Sequence, residues 1–360
     1  MPSTKKFDKP EGWRFDTFRS QSGYNIRYGC VEADPAKHRG TVVFAGGYGR
    51  HIEYYYEAIN NWRDRGYSVY MMDWAGMGGS DREIPDQPQR PPTISFEQHA
   101  RMLHEFTQNI VRPPREKPAF LCSHSFGGNI TLRYLHMYEK RADFPFTGAI
   151  MGAPMVDINT FILPRQVFNR VVRAANKMGL GDMPMPEVSK MYTDFINAVA
   201  YRNAEPDNER QTSQENYKRE TEHLQIGFPT PGWFAAAIKS ADIVRNPKFL
   251  EQINTPVMIL TAERDSMVSV KSQERAALHL PNAALVKLRG AKHGLWYDND
   301  RVQDQLWNAV STFTAGLCVR HKPRAALTVP LPDEPDLIDS GIIVIPPPQG
   351  PDQHPPRPQI

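Results

Sequence analysis

Ala119-Phe120-Leu121-Cys122-Ser123-His124-Ser125-Phe126-Gly127-Gly128 is an apolar run that ends in a turn of small residues. Helical patterning follows at once, in Asn129-Ile130-Thr131-Leu132-Arg133-Tyr134-Leu135. A strand that reverses this sharply into a helix lifts Ser125 above the sheet, exposes its hydroxyl and aims the helix N-terminus at whatever it attacks. Small residues are needed around the bend because the two backbones nearly touch there. The usual spacing is Gly-x-Ser-x-Gly, and here Ser123, still small, stands in the first position.

The flanking chain repeats the strand-then-helix rhythm. Thr41-Val42-Val43-Phe44-Ala45 reads as a buried strand opening into the loop Gly46-Gly47-Tyr48-Gly49, and Glu53 to Arg65 as a helix stopped by Gly66. Tyr67 to Asp73 is the next strand, and Ser95 caps a helix whose apolar face is Phe96, Ala100, Leu103, Phe106 and Ile110. Beyond the elbow come Thr147 to Gly152, then Pro256 to Leu260, then Ala284 to Leu288, with a closing helix from about Asp300 to Ala315. Such alternation predicts an α/β architecture with a mostly parallel central sheet and helices on both faces. The rhythm breaks at Ala153, so residues 153–250, mostly helical in pattern, are read as a lid over the carboxyl ends of the strands. The expected organisation is therefore an N-terminal arm (1–20), a core in two parts (21–152 and 251–320) interrupted by the lid, and a tail (321–360). Eleven of the 32 prolines fall in that tail, which is expected to be disordered or draped over the body, with the apolar knot Ile342 to Ile345 free to dock.

Composition narrows the function classes. Forty-three basic and 40 acidic residues balance to a formal charge of +3, unlike the basic stripe of a nucleic-acid binder. Cys30, Cys122 and Cys318 are odd in number and scattered, which argues against a disulfide framework and for a reducing, cytoplasmic compartment. Met1 to Arg19 is charged and lacks the apolar core of a signal peptide, and no apolar run approaches the roughly 18 residues of a spanning helix. Peripheral contact at the inner face of a membrane stays open, as does the oligomeric state. No His, Cys or carboxylate cluster has metal spacing, and no Gly-Lys-Ser/Thr follows the glycine-rich loop, so neither metal nor cofactor is expected.

A serine hydroxyl is a poor nucleophile until a base takes its proton, and a third group must orient that base. His293, in the loop after the last strand of the core, is the candidate base; His124 beside the elbow and His51 in the first loop are weaker competitors. Asp265, just past the strand Val257 to Thr261, leads as the acid over Glu263 and Asp157. The chain order is Ser, Asp, His, as this elbow requires. Two backbone amides should hold the developing oxyanion, one from Phe126 and one from the Gly46–Gly49 loop, where Tyr48 is chosen.

With those residues placed, the chain resembles the α/β-hydrolase superfamily over about residues 20–318. More narrowly, it is similar to the bacterial lysophospholipase and monoacylglycerol lipase branch. The stretches that carry the narrower likeness are Gly47-Tyr48-Gly49-Arg50-His51 with Tyr54-Tyr55, Asp73 to Ser80, Ala262 to Val268, and Gly227-Phe228-Pro229-Thr230-Pro231-Gly232-Trp233 in the lid. The resemblance implies a serine esterase acting on a single-chain glycerolipid with Ser125, Asp265 and His293 as triad. Gly47, Phe228 and Trp233 are the candidate substrate contacts, since apolar lid residues can line an acyl trough. The chain departs from the branch pattern at Gly46, Ser123 and Phe126, none of which removes a catalytic group. A peptidase or C–C hydrolase with the same triad, and a non-catalytic binding protein on the same fold, are the alternatives.

Overall fold

The computed structural model describes residues 6–160, 164–184, 190, 208–321 and 342–343. Its strands are β1 (Arg14–Arg19), β2 (Asn25–Val31), β3 (Gly40–Ala45), β4 (Tyr67–Met72), β5 (Ala119–His124), β6 (Gly148–Gly152), β7 (Val257–Ala262), β8 (Ala283–Leu288) and β9 (Ile342–Ile343). They form one sheet in the order β1-β2-β4-β3-β5-β6-β7-β8-β9. The run from β4 through β8 is parallel, while β1, β2 and β9 pair antiparallel at the two edges.

At both edges the structure adds detail to the reading of the sequence. The stretch expected as an N-terminal arm supplies a full edge strand, with Arg14 to Arg19 paired to Asn25 to Cys30 in antiparallel register. From the tail, Ile342 and Ile343 pair with Val286 and Leu285 and cover the far edge. The rest of the expected tail and part of the expected lid lie outside the described residues.

Helices α1 (Tyr56–Asp64), α2 (Phe96–Phe106), α3 (Phe126–Tyr138), α4 (Arg165–Lys177), α5 (Asn208–Glu220), α6 (Pro231–Val244), α7 (Val270–His279) and α8 (Asp300–His321) complete the frame. The helix expected from Glu53 opens instead with a 3-10 turn at Ile52–Tyr55, and the closing helix runs on to His321. Each central strand is apolar on both faces because both are covered. Val43, Leu121, Ala149 and Ile259 face one core, with α2, α3, α6 and α7. Val42, Phe44, Phe120, Ile150 and Met258 face the other, with α1 and α8. Each of these side chains is almost wholly buried, which is worth about 1.5–3 kcal/mol apiece for all but the small Ala149.

Strand β3 has β4 on one side and β5 on the other, so the chain reverses its direction of travel across the sheet at that point. Open α/β sheets leave a crevice at the carboxyl ends of such strands. The glycine-rich loop after β3 and the elbow after β5 both empty into it.

Candidate active site

Ser125 sits between β5 and α3 at φ 52°, ψ −113°, a strained conformation for a residue with a Cβ. The strain, on the order of 1–3 kcal/mol, persists because its backbone is held on all sides. Ser125 N donates to the Gly152 carbonyl at 3.0 Å, and the Ser125 carbonyl accepts from Gly128 N and Met155 N, both at 2.9 Å. The two glycines that follow have no room for a side chain. A Cβ on Gly127 would strike the Ala45 carbonyl, and one on Gly128 would meet Pro154 at 2.5 Å.

The loops after β7 and β8 bring two further groups to the same edge. Ser125 Oγ and His293 Nε2 are 2.8 Å apart, and His293 Nδ1 lies 2.8 Å from Asp265 Oδ2. The Asp265 side chain is fully buried, and its other oxygen accepts from Met267 N at 2.8 Å and Val268 N at 3.0 Å. A carboxylate facing Nδ1 places the imidazole proton there, so Nε2 is left to receive the serine proton. The two loops are laced to each other through Arg264 N to the Ala291 carbonyl at 2.9 Å. Trp296 Nε1 ties the histidine loop to the Ser123 carbonyl at 3.2 Å. The structure thus brings Ser125, His293 and Asp265 together from three segments far apart in sequence.

The competing acids and histidines sit elsewhere. Glu263 accepts from Gly290 N, and Asp157 pairs with Arg165 at 2.9 Å and Arg245 at 3.3 Å. His51 bridges Glu53 at 2.8 Å and Thr221, beyond α5, at 3.0 Å. Burial, the largest influence on Glu53, raises its carboxyl, but hydrogen bonds from His51 and Arg27 outweigh that and hold it at about 2.

His124 does something the sequence did not disclose. Its Nε2 lies 2.9 Å from the carbonyl oxygen of His293, which can only accept, so Nε2 carries the hydrogen. Nδ1 then accepts from Tyr55 Oη at 2.8 Å, and Tyr55 Oη in turn accepts from Gly47 N at 2.8 Å. Burial first, and the charge of His293 second, push His124 well below the usual histidine range, which keeps the ring neutral and this polarity fixed. One imidazole therefore ties the histidine loop to the glycine-rich loop. The signal was the Tyr54-Tyr55 pair, read only as part of a family pattern.

Phe126 N is the first amide of α3, one of the donors a helix leaves without an internal partner. The Gly47 amide is committed to Tyr55, which leaves Tyr48 N as the adjacent amide of that loop. Tyr48 Oη donates to the Gly227 carbonyl of the lid at 3.1 Å, and burial raises its phenol well above the usual range, so it stays protonated. Trp233 is set by the α6 cap, where Thr230 Oγ1 accepts from Trp233 N at 3.3 Å. Its ring lies 4.5 Å from that of Tyr48 and 6.3 Å from that of Phe126, over both expected oxyanion residues. Phe228 meets Phe234 edge-on at 6.0 Å, one layer further into the lid. Among the described residues no group of three or more His, Cys, Asp or Glu could hold a metal ion.

A family model described as "Serine aminopeptidase, S33" matches residues 36–300. "Probable lysophospholipase L2" of Haemophilus influenzae is 23% identical over 287 residues, covering 76% of this chain and 83% of that protein. "Lysophospholipase L2" of Escherichia coli K12 is 22% identical over 266 residues, covering 69% of this chain and 72% of the relative. Among solved structures, a soluble variant of monoglyceride lipase from Saccharomyces cerevisiae matches with a TM-score of 0.63 at 14% identity, over 88% of this chain and 97% of that one. A strained serine on a tight strand-to-helix turn, in a mostly parallel sheet with this strand order, is what these proteins' common fold requires. The chain belongs to the "Serine aminopeptidase, S33" family, has the α/β-hydrolase fold, and is similar to the lysophospholipases named above.

Proposed function

We propose that this hydrolase is a serine carboxylic-ester hydrolase that removes the acyl chain of single-chain glycerolipids, of the lysophospholipase or monoacylglycerol lipase kind. The observation that carries the reading is the unbroken hydrogen-bonded line from Ser125 Oγ through His293 to a buried Asp265. His293 Nε2 takes the hydroxyl proton as Oγ bonds to the ester carbonyl carbon. The carbonyl oxygen, now negative, is met by the amides of Phe126 and Tyr48. The intermediate collapses, the C–O bond to glycerol breaks, and the imidazolium gives its proton to the departing alcohol. Water, deprotonated by the same nitrogen, then releases the fatty acid and restores Ser125. An alcohol in place of that water would receive the acyl chain instead.

The names of the relatives support a lipid substrate, as does the Trp233 ring against Tyr48 of the oxyanion loop. Contact with a lipid surface belongs to the same reading, because such substrates reside in one. The test is a fluorophosphonate probe on the wild type and Ser125→Ala, followed by a panel of lysophospholipids, monoacylglycerols and aminoacyl anilides. Labelling that needs Ser125, with turnover of a lipid ester, supports the proposal. Label on another residue, or turnover of the anilides alone, refutes it.

A further inference from the structure

Arg50 closes the turn that carries the oxyanion loop, its N donating to the Gly47 carbonyl at 3.3 Å across Tyr48 and Gly49. The residue is half-buried, and its guanidinium carbon lies 4.5 Å from the centre of the Tyr54 ring and 5.8 Å from that of Tyr297. Tyr297 stands in the turn after His293, its ring packed so closely on Gly294 that a Cβ there would strike it. An arginine drawn in from water is ordinarily paired with a carboxylate. Here the acids beside these residues in the chain are spent elsewhere. Glu53 holds His51 and Arg27, Glu57 holds Arg210, and Asp298 accepts from Lys292 N at 2.7 Å and Asn299 N at 2.8 Å. Among the described residues no ion pair includes Arg50. The two tyrosine rings attract the cation through their faces but supply no negative charge.

The chemistry decides which part of a substrate comes to this cation. His293 Nε2 must reach the oxygen of the departing alcohol, so the alcohol arm of an ester lies on the side of the histidine loop. The acyl arm leaves the carbonyl carbon on the other flank, where Trp233 and Phe126 belong to the core shared with α2, α3 and α6. Tyr54, Tyr55 and Trp296 belong to the opposite core, with Tyr297 packed against it, so Arg50 stands on the alcohol side. Burial and then His293 lower His124, and the Arg50 charge adds to them, which puts the guanidinium within electrostatic reach of the Tyr55–His124 link. We propose that Arg50 receives a phosphate carried by the leaving glycerol, so that single-chain phospholipids are preferred over neutral monoacylglycerols. A planar guanidinium matches phosphate oxygens two at a time, and the flanking rings hold its plane. The inference rests on the lipid-ester reading of the site and names, within it, the head group.

The test is hydrolysis of two soluble esters that differ in head group alone, monooctanoylglycerol and its phosphate, with glycerol phosphate and inorganic phosphate as inhibitors. The wild type should show a KM at least about tenfold lower for the phosphate ester. Arg50→Gln should raise that KM about tenfold and move that of the neutral ester less than about twofold. Arg50→Lys, which keeps the charge without the fork, should fall between the two proteins. Glycerol phosphate should compete about tenfold better than inorganic phosphate, and only while Arg50 is present. A wild type that handles both esters alike, or an Arg50→Gln protein in which both KM values rise equally, would overturn the proposal. Equal inhibition by the two phosphates would overturn it too, as the mark of a site for free phosphate. If neither ester is cut, while calorimetry shows glycerol phosphate binding to the wild type and not to Arg50→Gln, the anion subsite stands and the proposed ester chemistry falls.

Discussion

The core and the lid solve different problems with different materials. Ser125, His293 and Asp265 each have a fixed partner, and residues 168 positions apart meet at hydrogen-bond distance. Among the described residues, the outward face of α4 turns apolar side chains to water beside exposed cations. A reaction needs pre-set geometry, since a displacement of about 1 Å can cost roughly a hundredfold in rate. A recognition surface needs only the right chemistry on the right side. On this view the core should determine whether an ester is cut, and the lid which acyl chain reaches it.

Four experiments bear on that division. The largest effect is expected from Ser125→Ala, which should lower kcat by at least about 10⁴-fold, roughly 5.5 kcal/mol, on short and long esters alike. Its circular dichroism should match the wild type, and retained turnover would remove Ser125 from the chemistry.

Next is the seam between core and lid, where Glu53 holds His51 and Arg27. Its carboxyl titrates at about 2 in the folded protein against an ordinary 4.5, so its contribution is complete above the ordinary value and drains away as pH falls toward 2. Glu53→Gln should cost on the order of 3 kcal/mol at neutral pH and flatten the acid side of the stability curve. Urea midpoints from pH 6 to 3 measure both, and parallel curves for the two proteins would contradict the assignment.

Tyr55→Phe removes one hydroxyl and leaves the Gly47 amide and His124 Nδ1 without partners. The expected loss is about 30-fold in kcat, roughly 2 kcal/mol, with KM nearly constant. A positioning role also predicts that the pH at which kcat/KM is half-maximal moves, which loss of packing alone would not do. An unchanged kcat would make the Tyr55–His124 link purely structural.

The smallest effect belongs to the lid. Trp233→Ala should lower kcat/KM for long-chain esters about tenfold, roughly 1.4 kcal/mol, while acetate esters change less than about twofold. Equal losses on both would place Trp233 with the oxyanion loop, which it touches through Tyr48, and would erase the contrast between the two regions.

The elbow was legible because its constraint is local. A strand, a small-residue turn and a helix follow one another within the stretch Ala119 to Leu135, and each leaves its own periodicity. Asp265 and His293 were legible as candidates through their places after successive strands, but not as neighbours. The edge strand Arg14–Arg19 was missed because it is largely exposed on both faces and so carries little apolar pattern. The short pairing of Ile342 and Ile343 with β8 is likewise set by the partner strand. His124 was legible only as a weaker competitor beside the elbow; its two partners come from Tyr55 and the His293 backbone, and no local pattern announces either.

The amino-acid order alone determined the α/β alternation, the strained turn that carries Ser125 and the amphipathic banding of the lid helix, since each arises from residues a few positions apart. Only the tertiary structure decided which acid faces His293, that Gly47 spends its amide on Tyr55, and which stripe of α4 is left to solvent. Those outcomes depend on how loops at the ends of different strands pack against one another, and that packing energy is shared among side chains that never neighbour each other along the chain.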